Sequence, residues 1–70
     1  IRVNCIRPGV IKTPMSEGVI HRLEETIKNN TALERVGTPK EISKATLFIA
    51  SENTASYMTG ECITIDGGMY

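Results

Sequence analysis

Two short apolar segments rich in β-branched residues, 1–6 and 62–65, bracket this chain, and the stretch between them is helix-forming. In the first, Ile1, Val3 and Cys5 alternate with Arg2, Asn4 and Ile6. The second is Cys62-Ile-Thr-Ile65. Neither segment has one wholly polar face, which suits a parallel sheet covered by helices on both sides. Parallel strands cannot be joined by a tight hairpin, so a helical, right-handed crossover is expected between them. Two strands alone do not make a self-sufficient sheet. The order strand, helices, strand therefore reads as α/β, one strand–helix–strand portion of a larger doubly wound parallel sheet. The start at Ile rather than Met, and the close just after Gly67-Gly68, agree with a segment of something longer.

Local signals punctuate that order. Pro8-Gly9 ends the first strand, because proline has no amide hydrogen to donate to a ladder and glycine permits a sharp turn. Val10-Ile11 restarts an extended stretch, and Pro14 biases Thr13 away from helical geometry. Val19, Ile20, Leu23 and Ile27 fall on one face of an amphipathic helix over 16–28, with Glu24 and Lys28 paired along it. Gly18 weakens its first turn, so it reads as lightly held. Asn29-Asn30-Thr31 breaks it.

Thr38-Pro39-Lys40-Glu41 is a capping box with proline at the first helical position. The helix that follows is expected to bury Ile42, Ala45, Phe48 and Ile49, with Lys40, Ser43 and Lys44 outward. Ser51 ends it or caps a short turn, and 51–60 is a polar connection containing Tyr57 and Met58. Asp66-Gly67-Gly68 terminates the second strand.

Composition excludes several functions. The 70 residues include one Phe, two Tyr and no Trp, so Val, Ile and Leu must supply most of a small core. Eight basic residues balance eight acidic ones without blocks of one sign, which argues against nucleic acid or a membrane surface as partner. No stretch is apolar enough to span a bilayer, and no basic-then-apolar leader opens the chain. Cys5 and Cys62, the only cysteines, lie in strand-like segments and read as buried reduced thiols, hence a reducing, cytoplasmic setting.

Ile-Arg-Val-Asn-Cys-Ile-Arg-Pro-Gly at 1–9 resembles the sixth strand of short-chain dehydrogenases/reductases and the turn after it, and Val10-Ile-Lys-Thr13 resembles its continuation. Arg35-Val-Gly-Thr-Pro-Lys-Glu-Ile42 is similar to the entry to that family's last large helix. Leu47-Phe-Ile-Ala-Ser51, Tyr57-Met-Thr-Gly60 and Ile65-Asp-Gly-Gly68 are similar to its end and the seventh strand. The blocks occur in family order across the whole chain, residues 1–70. The resemblance implies the C-terminal part of a Rossmann-like domain. It also implies hydride transfer between NAD or NADP and an alcohol or carbonyl substrate, in a homodimer or homotetramer.

Carried over residue by residue, Pro8 and Gly9 match the turn that lets backbone approach the nicotinamide. Ile11 matches the position whose main chain bonds the carboxamide, and Thr13 a hydroxyl near the cofactor phosphates. A carboxamide offers one acceptor and two donors, so one extended residue can serve it. The alternative for Thr13 is a local turn cap. Residues 14–34 match the family's substrate-side lid, with an ordinary surface helix as the alternative.

The resemblance also implies what is missing. Nothing matches the glycine-rich phosphate loop of the first strand–helix turn. The family's catalytic Tyr and Lys are four residues apart, but Tyr57 is followed at that spacing by Glu61, and Tyr70 is the last residue. A neighbouring Lys lowers a tyrosine pKa, and at that spacing Tyr57 has Glu61 instead. No catalytic residue is therefore assigned.

The remaining polar residues read plainly. His21 stands alone, without ligand-spaced partners, so no metal site is expected. Glu24 and Glu25 point in different directions on a helix and read as solvated. Arg35 is expected to anchor the lid base to a carboxylate, and Leu47 to be exposed or to lie at a subunit interface. Two rival readings are a truncated binding module that docks onto a full-length relative and an independent structural domain.

Overall fold

The computed structural model describes residues 1–69. Its elements are β1 (Cys5–Pro8), α1 (Glu17–Arg22), α2 (Glu24–Asn29), α3 (Pro39–Ala50), α4 (Glu52–Ala55) and β2 (Cys62–Ile65). The strands pair in parallel, Cys5 with Cys62 through Pro8 with Ile65, so the expected α/β strand–helix–strand arrangement is present.

The first strand starts later than its sequence pattern suggests. Residues 1–4 meet the second half through one backbone bond, from the Gly60 amide to Val3 O at 2.7 Å, and otherwise through side chains instead of a regular ladder. Asn4 Oδ1 accepts from the Glu61 amide at 3.0 Å and its Nδ2 donates to the Met58 carbonyl at 3.1 Å. Thr59 Oγ1 accepts from the Val3 amide at 3.1 Å. Pro8 closes the strand, and the missing proline donor costs nothing because the Gly9 amide reaches the Ile65 carbonyl at 3.0 Å.

α3 begins as its capping box requires. The Glu41 amide donates to Thr38 Oγ1, and the Thr38 amide donates to Glu41 Oε1 at 2.9 Å. At its other end the orphan carbonyls find donors. Arg2 gives Nη1 to Ile49 O at 2.9 Å and Nη2 to Ala50 O at 3.1 Å, and pairs its Nε with Glu52. Ser51 closes α3 and opens α4, within what reads from sequence as a plain connection, by accepting from the Asn53 amide.

The core is smaller than expected. Among the described residues only Ile49, Ala55 and Thr31 are buried. Ile42 and Ala45 are half-buried, whereas Phe48 is 51% exposed. Cys5 and Cys62 are also exposed, which corrects the buried-thiol reading. Ile6 shares a cleft with Thr46 and Ile49 of α3, so Cys5, Arg7 and their partners Cys62 and Thr64 fall on the uncovered side. The facing Cys62 thiol pushes the Cys5 thiol above its ordinary range.

The expected helix over 16–28 is two short helices that meet at Leu23 (φ −109°, ψ 19°). Neither buries a residue, and Val19 and Leu23 are each 45% exposed. Without tertiary cover, nothing offsets the entropy of a longer regular helix. Among the described residues no helix is long and apolar enough to cross a membrane.

Candidate functional site

The carboxyl ends of β1 and β2 meet where ligands bind in open α/β sheets. Pro8 is exposed at the rim. At Gly9 a Cβ would lie 2.7 Å from Asp66 Cβ and 2.8 Å from its Cα, so only glycine lets the two strand ends draw this close.

Ile11 comes next, in an isolated parallel bridge with Gly37. The bridge is made by its neighbours: the Gly37 amide donates to Val10 O and the Lys12 amide donates to Gly37 O, both at 2.9 Å. In a parallel ladder that pattern turns the intervening residue's own N–H and C=O to the opposite edge. The Ile11 carbonyl accepts from Ser16 Oγ at 2.7 Å, which occupies one of its two lone pairs. Its N–H has no acceptor among the described residues.

Thr13 is tied into a local knot. Its amide donates to Ser16 Oγ at 2.9 Å, its hydroxyl lies 3.1 Å from the same oxygen, and its carbonyl accepts from the amides of Ser16 and Glu17. The hydroxyl therefore acts as a turn cap here, the alternative that sequence left open. Ser16 was not singled out from sequence, yet it fastens both Ile11 and Thr13. The Thr-Pro-Met-Ser spacing ahead of a helix is the signal that could have found it.

The stretch after α2 is held from two sides. Gly67 and Gly68 have positive φ (65° and 78°), which turns their carbonyls to the amides of Leu33 (3.0 Å) and Ala32 (3.1 Å). Arg35 then forks onto Glu41, Nη1 to Oε1 at 3.0 Å and Nη2 to Oε2 at 2.9 Å. Together with the Thr38 donors, this holds the Glu41 carboxyl down at about 2. The anchoring role expected for Arg35 thus has its carboxylate.

Between α1, α2 and this base lies an open cavity of about 360 Å3, lined by Ile20, His21, Ile27, Lys12, Arg35 and Val36 among others. His21 is exposed at its edge, and no cluster suited to a metal ion occurs among the described residues. Glu24 also faces the cavity; Glu25 does not. Leu47 is 71% exposed and Tyr57 wholly so. Tyr70 lies outside the described residues.

A sequence profile described as Enoyl-(Acyl carrier protein) reductase matches residues 1–70. The chain is 51% identical over 69 residues to a 3-oxoacyl-[acyl-carrier-protein] reductase of Chlamydia muridarum, covering 99% of this chain and 27% of that protein. It superposes on a short-chain dehydrogenase/reductase of Brucella melitensis with TM-score 0.88 and 36% identity, over 99% of this chain and 28% of the other. A 4-hydroxyisoleucine dehydrogenase complexed with NADH gives TM-score 0.88 and 38% identity, over 97% of this chain and 28% of that one. The chain thus spans little more than a quarter of the length of the relatives it matches.

Proposed function

Because the chain belongs to the short-chain dehydrogenase/reductase family, we propose that it is the nicotinamide-side part of an NAD(P)-dependent oxidoreductase acting on an alcohol or carbonyl. Pro8, Gly9, Ile11 and Thr13 border the cofactor in this reading, residues 14–34 form the substrate-side lid, and the active assembly is a homodimer or homotetramer. The bound nicotinamide supplies the hydride chemistry; this chain's residues bind and orient it.

The observation that carries the reading is the outward-turned backbone of Ile11, with an uncommitted N–H and a carbonyl that keeps one lone pair. Those two groups fit the acceptor and a donor of a carboxamide. Gly9 lets the carboxyl ends of β1 and β2 draw together at the rim beside Ile11. Thr13 offers its hydroxyl once the bond to Ser16 is shared or exchanged. NADH is named with the related 4-hydroxyisoleucine dehydrogenase, which supports the cofactor class.

The test is a chimera in which these 70 residues replace the matching segment of the Chlamydia muridarum reductase. Oxidation of NADH or NADPH is followed at the nicotinamide absorbance with a carbonyl substrate. Turnover is expected, and Ile11→Pro, which deletes the N–H, should raise the cofactor KM about tenfold or more, the loss of one hydrogen bond at a desolvated site. A folded chimera without nicotinamide oxidation would refute the assignment. The exposed Leu47, Phe48 and Tyr57 favour a second reading, a binding module for a full-length relative, and inactivity joined to stable co-purification with the intact reductase would support it.

A further inference from the structure

We propose that Arg35 and Glu41 are positioning residues for the nicotinamide anchor: their ion pair sets the Gly37 backbone that turns Ile11 outward. This rests on the reading of Ile11 given above and adds the residues that hold it there. The pair brackets Gly37 in sequence and in space. Arg35 precedes it and also donates Nη1 to Val36 O at 3.0 Å, while Glu41 follows it in the first turn of α3.

Four donors converge on the one Glu41 carboxylate: both arms of Arg35, the Thr38 amide at 2.9 Å and the Thr38 hydroxyl at 3.2 Å. Residues 35–38 are thereby closed into a loop whose middle, Gly37, has little freedom to rotate. From that middle come the two bonds to Val10 and Lys12 that fix the direction of the Ile11 peptide groups. Gly37 also packs against Ile11 itself, since a Cβ there would lie 2.9 Å from the terminal methyl Ile11 Cδ1.

The Arg35 and Glu41 side chains are 52% and 44% exposed. Exposed pairs add little to global stability, so a purely structural role has little energy behind it here. A bidentate fork does fix geometry, and orientation is what an anchor for a planar carboxamide requires. Neither side chain is placed against the cofactor, so both act through Gly37 and Ile11.

The experiment uses the chimera described above, labelled with 15N and titrated with nicotinamide mononucleotide. The readout is the ligand-dependent shift of the Ile11 amide, with the Gly60 amide, bonded to Val3 O at 2.7 Å, as a report on the fold. In the parent chain Ile11 should respond. In Glu41→Gln the dissociation constant should rise at least fivefold with the Gly60 signal unmoved, and Arg35→Lys, which keeps charge but not the fork, should fall between. Equal affinity in parent and Glu41→Gln overturns the positioning role while the Ile11 reading stands. No response of Ile11 in the parent overturns both. If Glu41→Gln displaces the Gly60 signal, Arg35→Lys decides alone, and unchanged affinity there overturns the proposal.

Discussion

The glycines of this chain answer to different forces, and substitution separates them. At Gly9 the constraint is space, because an added Cβ would press into the Asp66 backbone. At Gly18, in the first turn of α1, a Cβ would meet nothing within 4 Å. Gly9→Ala is therefore expected to destabilise by about 1–3 kcal/mol, the usual cost of forcing extra volume into a closed contact. Gly18→Ala should stabilise by up to about 0.5–1 kcal/mol through lower unfolded-state entropy. Urea midpoints of the two variants moving in opposite directions would bear this out, and a neutral Gly9→Ala would show that the strand ends are free to part. Arg2 teaches a similar lesson. It reads from sequence as one of the alternating residues of a strand, yet its guanidinium closes the carboxyl end of α3, which no local pattern announces.

At the scale of elements, α3 is the part whose start is written locally and whose electrostatics can be titrated. Glu41 ordinarily titrates near 4.5 and is held at about 2 by Arg35 and by the Thr38 amide. A carboxyl depressed on folding contributes stability that is full above the unfolded value and is lost as pH falls through the folded one. The start of α3 should accordingly loosen between about pH 4.5 and 2. The Thr38 amide, followed by nuclear magnetic resonance, should move through that window in the parent chain and stay flat in Glu41→Gln. A midpoint near 4.5 in the parent would mean that the fork does not form. α1 and α2 behave otherwise: they bury nothing, so their regularity depends on what covers them. Periodicity alone foretold one amphipathic helix, and the structure breaks it at Leu23.

At the largest scale, these 70 residues enclose little by themselves. Ile49 and Ala55 are the only apolar side chains buried among the described residues, while Ile1, Val3, Leu47 and Phe48 are more than half exposed. The cysteines follow from this. Both thiols lie on the sheet face that α3 leaves bare, so both should react with a disulfide reagent in the native chain without denaturant. Cys5 should be the slower of the pair at mildly alkaline pH, since its thiol is pushed up by the facing Cys62. Protection of both until denaturant is added would mean that another surface covers this face.

What the sequence determined by itself is local and periodic: the capping box of α3, the second strand at Cys62–Ile65, the breaks at Pro8-Gly9 and Gly67-Gly68, and the order of the elements. These depend on backbone chemistry within a few residues, where a missing donor, a missing Cβ or a reciprocal cap acts whatever lies beyond. Parallel pairing was legible too, because a helical crossover leaves no other economical arrangement. The candidate site was only partly legible. Pro8, Gly9, Ile11 and Thr13 were picked out by resemblance, but Ser16 on the Ile11 carbonyl, the crowding of Gly9 against Asp66 and the direction of the Ile11 N–H needed the tertiary structure. Burial also lay beyond the sequence. An apolar residue such as Cys5 or Phe48 is buried only if another surface arrives to cover it, and that depends on parts of the chain far away in sequence, not on the residue itself.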